Sequence, residues 1–487
     1  VTATGSGDLS TWDPCVIPPG ASVSEEMAAV YGNLFFTDTS GVVEPGMAQS
    51  LTTTDAITWT LKLRPNVKFT DGTAYDATAV KYNWDRAADP ANECTEQAWV
   101  ASWKSLTITD PLTLTIVLPS ADSSFPVKIA ELMPFIDSPA SLEAAATKTD
   151  IKPIGAGPFI MTSWDPGVST KYDRNPGYWD QPRPYIDHFV LNQIPDTNSR
   201  IATVVQGGAD YMYGYFYQYG SNASAPGVST HRVTVPGLNI LWFNTKGGVS
   251  GLMNNVLARE AVVEAIDPNK LVQALTQDST VTAPDSLYPA PSPYHDPSLV
   301  YPTYDPAKAQ QLINQVIASG TKFTLTVTHP NNSDTNRAAA YIEQVLNTYK
   351  GVTALDSSVP LSNWLQVCRD QGKFDICVNP GIQVFNGPEP NTYNYLFSTG
   401  GNNIAHLDDP NLDAAETAAL AAISDTDKVA AYKKVQQIYL QDLPFWAYGV
   451  QTRVMLIQDT LGGIVNYSQA STRADLLYRC PSKCSGY

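Results

Sequence analysis

Polar and apolar residues alternate from Thr58 to Leu63, with Trp59, Leu61 and Leu63 on one side and Thr58, Thr60 and Lys62 on the other. A period of two predicts a strand with one buried face. Arg64-Pro65 closes that strand, because proline cannot donate to the ladder. A second short strand, Val67 to Phe69, is expected to run into a tight turn at Asp71-Gly72-Thr73. Asp76 is then placed to cap a helix carrying Val80 and Trp84 on one side. Further along, Leu106 to Leu118 reads as a hairpin joined by Asp110-Pro111. Asp305 to Ile317 reads as a capped helix ending at Ser319-Gly320, followed by a strand from Lys322 to Thr328 and a second amphipathic helix from Asn336 to Tyr349. Strand and helix in alternation predict a mixed α/β protein.

Composition narrows the class. A chain of 487 residues predicts roughly three domains of about 150 residues each. It is 43% hydrophobic, yet no apolar run approaches the roughly 18 residues that would span a bilayer. The formal net charge of −17 argues against nucleic acid, whose phosphates demand a basic surface, and against a polybasic membrane contact. Six cysteines make an even set. Cys368 and Cys377 flank the turn-like Gln371-Gly372, Cys480 and Cys484 bracket Pro-Ser-Lys, and Cys15 with Cys94 remain as a third pair. Six cysteines allow 15 pairings, so the connectivity stays open; oxidised pairs would place the protein outside the cytosol. No leader precedes Val1, which is read as a leader removed or absent from this chain.

The wording of the segment Thr58 to Arg86 is more specific than its periodicity. Four other blocks accompany it: Ile154-Gly-Ala-Gly-Pro-Phe-Ile160 with Trp164-Asp-Pro-Gly167; Arg174-Asn-Pro-Gly-Tyr-Trp179; Gln206-Gly-Gly-Ala-Asp210; and Trp242-Phe-Asn-Thr245 with Arg259-Glu-Ala-Val-Val-Glu-Ala-Ile-Asp267. In this order, from about residue 8 to residue 460, they resemble the family 5 (cluster C) extracellular solute-binding proteins of the peptide, dipeptide and nickel ABC importers. The resemblance implies a bilobal periplasmic-binding-protein clamshell of type II-like α/β lobes, with an extra subdomain in the first. Mapped here, lobe I takes 1–45, 165–240 and 462–487, the extra subdomain 46–164, and lobe II 241–461. It further implies a periplasmic or lipid-anchored receptor that closes on a small-molecule or peptide ligand and presents it to the membrane subunits of an ABC permease. A nucleic-acid partner is not expected, and the protein is expected to be a monomer.

Catalytic patterns are missing from the chain. It has no Gly-x-Ser-x-Gly elbow, His-Glu-x-x-His, phosphate loop or dinucleotide fingerprint, and no pair of carboxylates stands out as acid and base. His188, His231, His295, His329 and His406 lie far apart, without the short spacing of a metal site, so neither nickel nor any cofactor is expected. The protein reads as a binding protein and not an enzyme.

Binding features are easier to find. Tyr211, Tyr213, Tyr215, Tyr217 and Tyr219 recur at period two after Gly208-Ala-Asp210; if extended, they would share one face, as a wet cleft would use or as an aromatic edge strand would. The resemblance places Trp242 and Asn244 beside an inter-lobe crossing, where they could meet a solute or, for Trp242, simply pack in the core. Trp12 falls in the family's first loop at the cleft rim, either exposed to stack on a solute or packed under a Cys15 bridge. Peptide-binding relatives place an aspartate after the Phe374-Asp375 strand to pair with the ligand's ammonium. Here Asn379 to Gly387 contains no acid, leaving Asn386 as the aligned residue and Glu389 as the charged candidate nearby. An ammonium buried without a counter-charge costs about 3 to 5 kcal/mol, two or three decades of affinity. An oligopeptide held by its backbone is the favoured solute. An oligosaccharide or other polar uncharged solute is the alternative, and a secreted hydrolase or an adhesive surface protein are readings from other classes.

Overall fold

The computed structural model describes the chain apart from residues 6–8, 10, 17–20, 40, 214–224, 277–280, 361–362, 384–387, 389–390, 468–470 and 485–487. The chain forms two compact units, residues 1–235 with 452–487, and residues 236–451.

In the first unit the short strand Thr2–Gly5 lies between two parallel neighbours, with Ala3 opposite both Leu191 and Tyr211. Strand His188–Gln193 continues the sheet antiparallel to Ser169–Arg174, which pairs in turn with Phe159–Asp165. On the other side Tyr211 faces Ile457. Ala3, Thr4, Phe189 and Leu191 are all buried, as a central strand pair covered on both faces requires. Tyr31, at the end of helix Ala21–Tyr31, packs in the same core as Phe159, Phe189 and Tyr211.

The same unit holds a second core under a four-stranded antiparallel sheet, ordered Ala48–Thr53, Thr58–Leu63, Thr113–Val117, Ser105–Asp110. Trp59, Leu61 and Leu63 are buried while Thr58 and Lys62 are exposed, so the alternation in the sequence is the alternation of the sheet. Helix Ala77–Ala88 is capped by Asp76, whose carboxylate accepts from the Thr78 amide at 2.9 Å and the Ala79 amide at 3.1 Å, and Val80 and Trp84 are buried beneath it. The strand expected at Val67–Phe69 is reduced to a single bridge between Lys68 and Ala74. Asn66 lies at φ 63° and Gly72 at φ 88°, so the chain folds back on itself within this short span and meets no neighbouring strand.

The second unit is a mixed sheet. Phe323–Pro330 pairs parallel with Val352–Val359 along its whole length, and at Val327 and Thr328 with the start of Ile376–Gln383. That strand runs antiparallel to 237–243, with Gly237 opposite Gln383 and Phe243 opposite Ile376. Helix Pro306–Ala318 is capped by Asp305 as expected and ends before Gly320 at φ 91°. The helix after Phe323–Pro330 spans Ser333–Leu346, about one turn earlier than the apolar pattern suggested. Asn332 Oδ1 accepts from the Thr335 amide at 3.0 Å, and this cap moves the start upstream. Asp375 is fully buried and ties two segments together, accepting from the amide and hydroxyl of Ser250 and from the amide and hydroxyl of Thr326. All six cysteines are paired, as Cys15–Cys94, Cys368–Cys377 and Cys480–Cys484.

Candidate functional site

Parallel strands end together in the first unit, and open α/β sheets bind ligands beyond the carboxyl ends of such strands. Three residues meet there. Gly5 ends Thr2–Gly5, Gln193 ends His188–Gln193, and Tyr213 follows Tyr211–Met212 with its amide on the Thr4 carbonyl at 3.0 Å. A Cβ on Gly5 would sit 3.4 Å from the Tyr213 ring and 3.5 Å from Gln193 Oε1, ordinary contact distances that mark how closely the three residues meet. The Tyr213 hydroxyl and Gln193 Oε1 are both buried without a hydrogen-bond partner among the described residues. Each such atom costs about 1–3 kcal/mol if it stays unpaired, so two of them at one strand end form a candidate contact for a polar solute group.

Behind this junction stand two adjacent buried acids on helix Ala21–Tyr31. Glu26 accepts from Gln193 Nε2 at 2.5 Å and from the Thr170 hydroxyl at 3.2 Å, which holds the Gln193 amide in one orientation. Glu25 accepts from the Tyr211 hydroxyl and from the Thr472 amide. Burial pushes the Glu25 carboxyl well above the usual carboxylate range, against the opposing pull of the Tyr211 and Thr472 hydrogen bonds. A void of about 20 Å³ beside Glu25 and Arg473 has room for a single water.

Of the residues singled out from the sequence, Tyr213 belongs to this junction. Tyr211 backs it, its ring edge-on to that of Tyr213 with centroids 5.9 Å apart. Tyr215, Tyr217, Asn386 and Glu389 lie outside the described residues. Trp12 is buried and not exposed, packed edge-on against Tyr31 and Trp164 at 6.4 and 6.2 Å. Trp242 is core, between Phe445 at 4.6 Å and Tyr395 at 5.3 Å. Asn244 is buried with its polar groups taken, Nδ2 donating to the Gly372 carbonyl at 2.9 Å and Oδ1 accepting from the Lys246 amide at 3.1 Å. It shapes the turn at the Phe243 end of its strand, away from Gly237. Glu26 and Gln193 are not marked out by any sequence motif, although Glu25 and Glu26, directly before the apolar run Met27-Ala-Ala-Val-Tyr31, signal a buried polar network.

A family model for bacterial extracellular solute-binding proteins, family 5 (middle), matches residues 42–403. Glutathione-binding protein GsiB of Escherichia coli (strain K12) is 26% identical over 483 residues, covering 95% of this chain and 91% of its own. The ABC transporter substrate binding protein CtaP of Listeria monocytogenes superposes with a TM-score of 0.86 at 20% identity, covering 98% of this chain and 99% of its own. NikA of Brucella suis, solved in complex with Fe(III)-EDTA, gives a TM-score of 0.83 at 20% identity, covering 99% of this chain and 100% of its own. This chain belongs to the family 5 extracellular solute-binding proteins.

The fold of this solute-binding protein is the bilobal α/β fold of the periplasmic binding proteins, and its role is that of an extracellular solute receptor. Among the described residues no helix is long and apolar enough to cross a membrane, and no three His, Cys, Asp or Glu side chains gather as a metal site. His188, His295 and His329 each face one aspartate, Asp173, Asp285 and Asp356 respectively.

Proposed function

We propose that this receptor carries an oligopeptide, binding it partly at the Gly5, Gln193 and Tyr213 junction and delivering it chemically unchanged to its permease. The observation that carries this reading is the pair of buried neutral groups, unpartnered among the described residues, where the parallel strands Thr2–Gly5 and His188–Gln193 end. A tyrosine hydroxyl that can donate or accept, next to an amide oxygen that accepts, suits the N–H and C=O groups of a peptide backbone. Hydrogen bonds of about 1 kcal/mol each tolerate many side chains, which a general peptide importer needs. The name of GsiB agrees with a peptide-like solute, since glutathione is a short peptide. Tyr215, Tyr217, Asn386 and Glu389 remain in the proposed solute set, with Glu389 as counter-charge for an amino terminus. Trp12, Trp242 and Asn244 support the fold around it. The proposal includes a three-part organisation in which 46–164 is an added subdomain of the first lobe, a monomeric state, and a location that is either periplasmic or lipid-anchored at the cell surface.

An oligosaccharide is the second reading, because the same neutral, aromatic-backed groups also fit sugar hydroxyls. Denaturing the purified protein and identifying the released molecule by mass spectrometry separates the two. A ladder of peptides is expected; a glycan would replace the first reading with the second, and a released solute that the native protein had altered would overturn the receptor role.

A further inference from the structure

Within the second unit, a cavity of about 400 Å³ opens beyond Phe243, lined by Lys246, Arg369, the loop 398–401, Asn403 and the segment 406–408. Strand 237–243 places it about 20 Å from Gly237, at the rise of an extended chain, and it shares no residue with the Tyr213 junction. The lining is dominated by donors without acceptors. The Ser398 hydroxyl is buried and unpartnered. The amides of Thr399 and Gly401 have no acceptor among the described residues, whereas the Gly400 amide is used on the Phe397 carbonyl and the Ser398 amide on Asp413 at 2.8 Å. Arg369 spends Nε on Asp370 at 2.8 Å and Nη1 on Asn402 at 3.4 Å, which leaves Nη2 without a partner among the described residues. Lys246 reaches Asp408 at 3.2 Å, but both side chains are more than half exposed, so the pair is weak and another anion can exchange into it.

Lys246 and Arg369 are the cations of the lining and Asp408 its carboxylate, with Asp370 held by Arg369 and Asp413 by the Ser398 amide. His406 completes one wall at φ 55°, a backbone conformation that costs a non-glycine residue energy and that folds retain at sites where a side chain must be aimed. Its Nε2 lies 3.2 Å from the Cys368 carbonyl, and the Cys368–Cys377 disulfide anchors that carbonyl to the sheet. Hydroxyl, free amides, guanidinium and ammonium around one cavity are the groups that bind oxyanions.

We propose that this cavity is an accessory site for a small oxyanion-bearing molecule, a carboxylate or a phosphate ester, separate from the transported solute. The test is calorimetric titration of inorganic phosphate, and separately of succinate, into the intact protein at constant ionic strength. Saturable binding of at least one is expected. Arg369→Gln should weaken it by ~10-fold, the loss of one hydrogen bond to a charged group, and Lys246→Gln should weaken it in the same direction. Both side chains are partly or largely exposed, so neither variant threatens folding. Sedimentation with phosphatidylglycerol vesicles distinguishes the source. Vesicle binding that phosphate displaces assigns the site to a lipid headgroup, and binding of the free anions alone assigns it to a soluble ligand. No saturable binding of either anion, or equal binding by wild type and both variants, overturns the proposal.

Discussion

At the scale of single residues, place in the sheet separates aromatic side chains that burial does not. Tyr213 and Trp242 look alike in the sequence as cleft candidates, and both are buried with a polar atom unpartnered among the described residues, but Trp242 packs between Phe445 and Tyr395 in the core of the second unit while Tyr213 stands where the parallel strands of the first unit end. Removing an unsatisfied hydroxyl relieves the free protein, whereas removing one that pairs with solute costs affinity. Tyr213→Phe is therefore expected to leave the melting temperature unchanged or slightly raised and to weaken solute binding about tenfold, the equivalent of about 1.4 kcal/mol. Calorimetry with the released native solute reads this directly, and unchanged affinity would remove Tyr213 from the site. Asn244 differs, since its amide bridges the Gly372 carbonyl and the Lys246 amide and so holds the turn.

At the scale of elements, local signals predict well where their own partners are local. The Asp76 cap is such a signal: its two hydrogen bonds join residues two and three positions apart, and both form. Asp76→Ala is expected to cost about 1 kcal/mol, seen as a lower urea midpoint with unchanged solute affinity. A loss below a few tenths of a kcal/mol would show that packing of Val80 and Trp84 holds the helix without its cap. Other readings slip although their partners are just as local. Val67–Phe69 has the residues of a strand but pairs with the return of its own turn, Phe69 with Thr73 and Val67 with Tyr75, so it stays a bridge. The helix Ser333–Leu346 starts at the Asn332 cap rather than where its apolar stripe becomes regular.

At the scale of the molecule, buried carboxylates set how stability responds to pH. Asp137, beneath Tyr31 and Ser141 in the first unit, is pushed up to about 7, chiefly by burial, with the Asp13 charge adding to it. The folded protein thus holds this proton more tightly than the unfolded chain. Its contribution is full below the ordinary aspartate range near pH 4 and is lost as pH rises through about 7. Between pH 5 and 8 the wild type is expected to lose more stability than Asp137→Asn, by up to the order of 3 kcal/mol. Glu25 acts in the same direction. Parallel melting curves for the two proteins at several pH values check this, and curves of equal slope would show that Asp137 is ionised and paired in the native state.

The sequence by itself determined the family, the alternation of Thr58–Leu63, the caps at Asp76 and Asp305 and the receptor role, because each rests on neighbours a few residues away or on whole motifs in order. It also suggested three cysteine pairs without excluding the other pairings. Only the tertiary structure decided that Gly5, Gln193 and Tyr213 meet, that Glu25 and Glu26 are buried behind them, that Trp12 is covered, and that Lys246 and Arg369 line one cavity with Ser398. Residues 5, 193 and 213 carry no shared pattern along the chain. Their meeting depends on the register of parallel strands whose partners are far apart in sequence, and that register is fixed by packing of the whole sheet.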